Sequence, residues 1–284
     1  MSDYEFVCFE TTDISTRTLQ WRVLQDKVDE QGLVFLKKCR SRLQFYQSTL
    51  LAWDLVYVNY LDLFEVLSNK NKVSCPMNHE LANKNVIELV SLINIRVSNL
   101  LNAGTAFFKI VERSIVDADK REKWNSRRRK LHKDSIEYKL CYELRNQIQH
   151  VSWAISHLGI ETKPEENNMN LYVMLDPKLI PNNNKIIRIL NNRDEPICLN
   201  RFFTTYTKMI SILAGYFFEL VSIDDQECLD FILDVRQQLN FRDSMGVVPV
   251  NTPDHDIVDK TELLQFEIYD WIVEKLSQIN TFAR

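Results

Sequence analysis

The sequence predicts a mainly α-helical protein: a four-helix bundle with a small β-hairpin inserted before its last helix, and further helices at the ends. Three observations predict it. The 284 residues include only 5 Gly and 7 Pro, too few for a turn-dense all-β chain. Leu33 to Leu67 is rich in apolar residues and contains neither Gly nor Pro. Two later stretches repeat apolar residues at helical spacing.

Taken in order, residues 4–9 (YEFVCF) suit a short strand and residues 14–30 look weakly helical. In the next stretch Leu50, Leu51, Trp53, Leu55, Val56, Val58, Tyr60, Leu63, Phe64 and Leu67 cover most of a helix surface. Asp54, Asn59, Asp62 and Glu65 leave only a narrow polar band, so this helix is expected to be largely buried. Residues 68–84 break the pattern and read as a loop. Val86, Val90, Ile93, Val97, Leu100, Leu101, Phe108 and Val111 mark a second helix over 85–116. Residues 117–134 are a charge run, read as a loop. A third helix over 135–156 carries the stripe Ile136, Leu140, Leu144, Ile148, Val151 and Ile155.

The texture then changes. Pro164–Asn168 is a polar loop, and NLYVMLD (170–176) and KIIRIL (185–190) read as a hairpin around a PNNN turn, with ICL (197–199) as a further strand. A fourth helix is expected over 200–221 and two more over 225–240 and 261–279, with a Pro-containing loop at 247–256 between them. The expected division is a 1–32 strand and helix extension, a 33–222 bundle with its hairpin insertion at 165–199, and C-terminal helices over 223–284.

Composition narrows the function classes. At 45% hydrophobic and 26% charged the chain can bury a full core. The six cysteines are scattered with no CxxC pair, and residues 1–20 lack the basic and apolar regions of a secretory signal. Reduced, mostly buried thiols and a cytoplasmic location are expected. The stretch Ile210 to Val221 is too short to span a bilayer and contains Glu219. Cys75 and His79 lack a second pair at metal spacing, so neither a metal nor another cofactor is expected. No GxxxxGK[ST], GxGxxG or GxSxG occurs, which removes support for nucleotide hydrolysis, Rossmann redox chemistry and α/β-hydrolase chemistry.

The informative segment is YELRNQIQHVSW, residues 142–153, with Arg145, Asn146 and His150 as R-N-x-x-x-H. With Leu144 at zero and 100° per residue, Ile148 and Val151 fall on the core side. Asn146 and His150 fall at about 200° and 240°, an i,i+4 pair on one surface, and Arg145 flanks them at about 100°. Tyr142 and Trp153 share that face. A cation, an amide and an imidazole thus converge opposite the packing stripe. The bland alternative is the solvated face of an amphipathic helix.

This pattern resembles the HEPN superfamily (higher eukaryotes and prokaryotes nucleotide-binding), whose motif is Arg, four to six residues, then His, with a polar residue, often Asn, directly after the Arg. The resemblance rests on Arg145, Asn146 and His150 and on the helical context of roughly residues 40–222. It implies a four-helix bundle, metal-independent endoribonuclease activity and a site assembled at a homodimer interface. The residue types suit that chemistry. A histidine with a pKa near 6.5 can move the 2′-OH proton, a guanidinium can hold the phosphorane oxygens, and an amide can orient either. Some HEPN toxins are modified by an antitoxin on a tyrosine two residues after the His. Here that position is Ser152, which argues against that regulation and leaves any antitoxin or regulatory protein unidentified.

A second feature is DKREKWNSRRRKLHKD, 119–134. Between residues 120 and 133 it has eight cations against one acid, a net +7 in a chain of net −4. Arg127, Arg128, Arg129 and Lys130 are candidates for RNA phosphates, and Trp124 for stacking on a base, against the alternative of a solvated loop. Arg127 to His132 is a second R-x4-H without the Asn, read as chance. Tyr142 and Trp153 are candidates for a dimer contact or a stacking platform. His157 reads as a helix-end cation rather than a second base. The function expected is an RNA-cleaving homodimer in toxin, stress or phage-defence biology, with no membrane partner. A HEPN-fold module that binds RNA or protein without catalysis is the alternative, and a purely structural scaffold is the third.

Overall fold

A computed structural model describes the chain except residues 1–3, 14–17, 69–78, 151–156, 164–167, 181–183, 191–194, 223–224, 240–243, 254–255, 257–261 and 284. Among the described residues the protein is mainly helical, with two antiparallel sheets. Contacts divide it into two compact units, Met1–Leu50 with Phe218–Gln278, and Leu51–Phe217 with Ile279–Arg284.

In the first unit, β1 (Tyr4–Asp13) pairs with β2 (Thr18–Val28) on one side and with β6 (Ser244–Pro249) on the other, and β6 pairs with β7 (Glu262–Gln265). The expected strand at 4–9 is present. The expected helix over 14–30 is not: Leu19, Trp21 and Val23 alternate with Gln20 and Arg22, and this period of two is strand patterning. Pairing of Phe6 with Val247 ties the N-terminal strand to the C-terminal region. The division read from the sequence kept those two regions apart. Helix α1 (Glu30–Ser68) begins here, with α7 (Gln226–Leu239) and α8 (Phe266–Ala283). Asp225, almost fully buried, accepts hydrogen bonds from Arg42 and, at 2.7 Å, from the Tyr46 hydroxyl. Burial pushes the Tyr46 phenol pKa up, so it stays a neutral donor. Phe35 meets Phe231 edge-on at 5.1 Å.

The second unit holds the rest of α1, α2 (His79–Ser114), α3 (Ala118–Asp134), α4 (Ile136–His150), α5 (Asn184–Ile189) and α6 (Asn200–Ser222) up to Phe217. Four of these match the expected bundle helices: α1, α2, α4 and α6. Side-chain contacts join them. Trp53 Nε1 donates to Ser211 Oγ at 3.0 Å, joining α1 to α6. Tyr138 of α4 packs on Phe108 of α2 and Tyr206 of α6. Arg96 of α2 bonds Asp62 of α1 at 2.6 Å. Helix α1 is less buried than expected. Trp53, Val56, Tyr60 and Leu63 are core, but Leu51, Leu55, Val58 and Phe64 are all at least 45% exposed.

Three further expectations are corrected here. The charge run is a helix, α3, rather than a loop. Asp117 caps it by accepting from Lys120 N at 2.8 Å, and Lys, Arg and Glu are good helix formers even without an apolar stripe. The predicted hairpin partner KIIRIL is also helical, in α5, with Ile186 and Leu190 buried four residues apart. Strand β4 (Asn168–Leu175) pairs instead with β3 (His157–Lys163) and with β5 (Ile197–Cys198), where the ICL strand was expected. A short apolar run fits helix or strand equally on periodicity, and packing decides. His157 therefore opens a strand and is not a helix-end cation. The expected 68–84 loop is shortened because α2 starts at His79. At the C-terminus, β6 and β7 occupy parts of the expected 247–256 loop and 261–279 helix.

Among the described residues one helix by itself, α2 over Val86–Ser114, is long and apolar enough to cross a membrane, with a mean hydropathy of 1.3. Its Ile93, Val97, Leu100, Leu101 and Phe107 are fully buried against protein. Cys39, Cys141 and Cys228 are buried free thiols, and Cys198 is a half-buried one.

Two helical glycines respond oppositely to a methyl group. At Gly104 of α2 a Cβ would clash with the Tyr206 hydroxyl and lie 2.9 Å from Ile210 Cδ1, so α6 approaches α2 closely there. At Gly215 of α6 the nearest atoms would be 3.7 and 4.0 Å away. Gly215→Ala is expected to stabilise by up to about 1 kcal/mol through helix propensity alone. Gly104→Ala is expected to destabilise by about 1–3 kcal/mol through overpacking. Urea unfolding of the two variants checks the pair.

Candidate functional site

Helix α4 carries the R-N-x-x-x-H motif, and its start is fixed by one residue. Ser135 ends α3 by donating its N–H to Leu131 O at 3.0 Å. It opens α4 by accepting from Tyr138 N on its hydroxyl at 3.1 Å. Only this residue separates the basic helix from the motif helix, so the two are held at a defined angle. Tyr138, Leu140, Cys141, Leu144 and Gln147 are the buried side chains of α4. Leu140 and Leu144 belong to the expected stripe; Ile136, also expected there, is 39% exposed.

Arg145 and Asn146 are half-buried neighbours. Arg145 Nη1 donates to Asn146 Oδ1 at 3.2 Å. Asn146 Nδ2 points to Glu143 Oε2 at 3.5 Å, and Glu143 lies 3.8 Å from Lys185 Nζ of α5. Arg145 Nε is buried without a hydrogen-bond partner, so one charge-assisted donor of this guanidinium is unused. Arg145 also faces α6. Burial raises the pKa of the Tyr206 phenol well above its usual range, and the Arg145 charge opposes that rise. His150 is the last residue of α4, one helical turn beyond Asn146. Trp153 and Ser152 lie outside the described residues.

The basic segment is a helix face. Arg127, Arg129 and Lys130 are exposed, and Arg128 is half-buried. Arg127 lies 5.8 Å from the Tyr216 ring, and Arg129 pairs with Glu122. Trp124 does not suit base stacking. It is fully buried, packs beside Phe108 and supports the Arg128 guanidinium 5.2 Å from its ring. It is the fully buried anchor of a helix whose other residues are mostly charged.

Sequence reasoning passed over a group that the fold assembles. Arg128 and His132, four residues apart on α3, join Arg129, Phe108 of α2 and Tyr138 and Tyr142 of α4 around a cavity of about 360 Å³. The His132 ring stands edge-on to Tyr138 and Tyr142, at 5.6 and 5.7 Å. Burial lowers the His132 pKa from 6.5, helped by Lys139 and Arg128 and opposed by Glu143. The available signal was the i,i+4 spacing of Arg128 and His132, hidden by reading the segment as a loop. A larger cavity of about 530 Å³ lies elsewhere in the same unit, lined by residues that include Tyr60, Phe64, Tyr172 and Arg201. Among the described residues no group of three or more His, Cys, Asp or Glu is placed to hold a metal ion.

Compared with known proteins, the chain significantly matches no family profile, no curated protein and no solved structure.

The His132 shift predicts a pH effect. The folded-state pKa is depressed, so the unfolded chain takes up this proton first as pH falls. Its contribution to stability is therefore present above about pH 6.5 and lost as pH falls through the folded-state pKa. The stability difference between wild type and His132→Gln should narrow or reverse on acidification below that value. Paired denaturation curves from pH 8 to 5 read it directly, and a pH-independent difference would contradict the assignment.

Proposed function

We propose that the chain is a metal-independent endoribonuclease of the HEPN type, with Arg145, Asn146 and His150 as its working residues. The observation that carries this reading is the half-buried Arg145–Asn146 pair on the motif helix, with a guanidinium N–H left unpaired one turn before His150. The reaction requires no external oxidant or metal. The His150 imidazole takes the ribose 2′-OH proton, and the 2′-oxygen forms a bond to the adjacent phosphorus. The bond from phosphorus to the 5′-oxygen breaks, and that oxygen takes a proton from a second, protonated imidazole. Arg145 neutralises the non-bridging oxygens as charge develops on them. Asn146 keeps the guanidinium in place. A homodimer brings two copies of the motif together and supplies both the base and the acid. The +7 segment, now helical and joined to α4 through Ser135, draws the RNA backbone toward it.

A non-catalytic binding module is the second reading. It is favoured by Glu143, whose carboxylate lies beside Asn146 and disfavours a bound phosphate there.

The two readings separate in one experiment. Wild type, Arg145→Ala and His150→Ala are incubated with total RNA in excess EDTA, with thermal unfolding as a folding control. The nuclease reading expects wild-type cleavage, with each variant reduced about 10²-fold or more at unchanged melting temperature. Full activity in both variants contradicts it. A salt-dependent mobility shift without cleavage supports the binding module.

A further inference from the structure

The cavity between α2, α3 and α4 has features of a ligand site that the motif chemistry does not use. Its floor is aromatic and buried: Phe108 is 6% and Tyr138 3% exposed. Its rim is reachable: Tyr142 is 42% exposed and the Arg129 side chain 63%. Its volume of about 360 Å³ falls in the range of small-molecule sites, which begins near 300 Å³. Two guanidiniums reach it from one side of α3. Arg128 is seated on aromatic faces, 5.2 Å from the Trp124 ring and 6.0 Å from the Phe108 ring. That seating leaves the guanidinium held between the buried rings and the cavity it lines. Both guanidiniums have carboxylate neighbours, Glu112 for Arg128 at 3.5 Å and Glu122 for Arg129. Those carboxylates are 42% and 67% exposed, and exposed pairs of this kind contribute little net stability. An incoming phosphate can replace them.

The chemistry of the walls selects the rest of the ligand. A simple anion site would need only the arginines. Here they sit beside the Tyr142 ring and the His132 imidazole, which stand perpendicular to each other, and burial disfavours the charged form of that imidazole. A neutral imidazole offers one donor and one acceptor, the pairing a nucleobase edge presents. An aromatic ring offers a base a stacking surface. We propose that this cavity binds one nucleoside monophosphate unit, its phosphate on Arg128 and Arg129 and its base against Tyr142 and His132. Tyr142 lies four residues before Asn146 on α4, one turn along the same face. If the nuclease reading holds, the cavity takes a nucleotide flanking the cleaved bond, and this role alone rests on that reading. The binding itself does not.

The test uses His150→Ala full-length protein, so that RNA is not consumed. Uridine and adenosine monophosphate, inorganic phosphate and a single-stranded oligoribonucleotide are titrated by calorimetry. Tyr142→Ala and Arg129→Ala are then added to that background. Both side chains are exposed, and thermal unfolding confirms that the variants fold.

The proposal expects nucleotide binding to exceed phosphate binding by at least about tenfold. Tyr142→Ala should weaken it about tenfold or more. Arg129→Ala should weaken it and lower the salt slope by about one. Binding of the oligonucleotide alone, with the same losses, supports the site as an RNA subsite. Equal affinity for phosphate and nucleotide overturns the proposal, as does oligonucleotide binding that neither substitution changes. So does the absence of any binding. Cleavage assays on wild type report separately on the nuclease reading, so the two can fail independently.

Discussion

Helix α4 has one surface stripe to bury, and Tyr138, Leu140, Cys141, Leu144 and Gln147 take it. Once they are in place the rotation of the helix is set, because a buried stripe cannot turn without exposing apolar area. The placement of the motif residues on α4 follows from that phase. Arg145 comes to the margin of the core, half-buried and close enough to Tyr206 for its charge to be felt. Asn146 falls beside it and Tyr142 one turn earlier, on the exposed side. Ser135 adds the second constraint by ending α3 and starting α4 in one residue. The basic helix therefore cannot drift away from the motif helix. Trp124 is the pin that holds it down.

The two units solve different problems. The first joins the N-terminal and C-terminal segments by adding β6 to β1, and it satisfies the buried Asp225 with Arg42 and Tyr46. The second is mainly helical, with the β3–β4–β5 sheet, and α2 and α6 pack closely in it, as the approach of Tyr206 to Gly104 shows. On α4 the half-buried Arg145 guanidinium is held by its bond to Asn146 Oδ1.

The long helices were legible because each carries a periodic apolar stripe over many turns. The strand at 4–9 and the ICL strand were legible too. What failed did so for identifiable reasons. TLQWRVLQ alternates with period two, but its polar residues are long enough to suit a helix as well. KIIRIL is six apolar and basic residues, too short for periodicity to choose. Helix α3 has no stripe at all, and its only core residue, Trp124, looked like an exposed aromatic among charges. The motif residues Arg145 and Asn146 could be placed on one helix from spacing alone. Their hydrogen bond and the unused Arg145 Nε required the fold. The Arg128–His132–Tyr142 cavity is built from three helices, and no linear pattern encodes such a convergence.

The central claim is that α4 directs attack by a ribose 2′-OH without a metal. The end groups of RNA cut by wild-type protein in excess EDTA test it most directly. The account predicts 5′-hydroxyl ends and 2′,3′-cyclic phosphates, and no cut at a 2′-deoxy position. Products with 5′-phosphate and 3′-hydroxyl ends, or cleavage at the deoxy position, would contradict it.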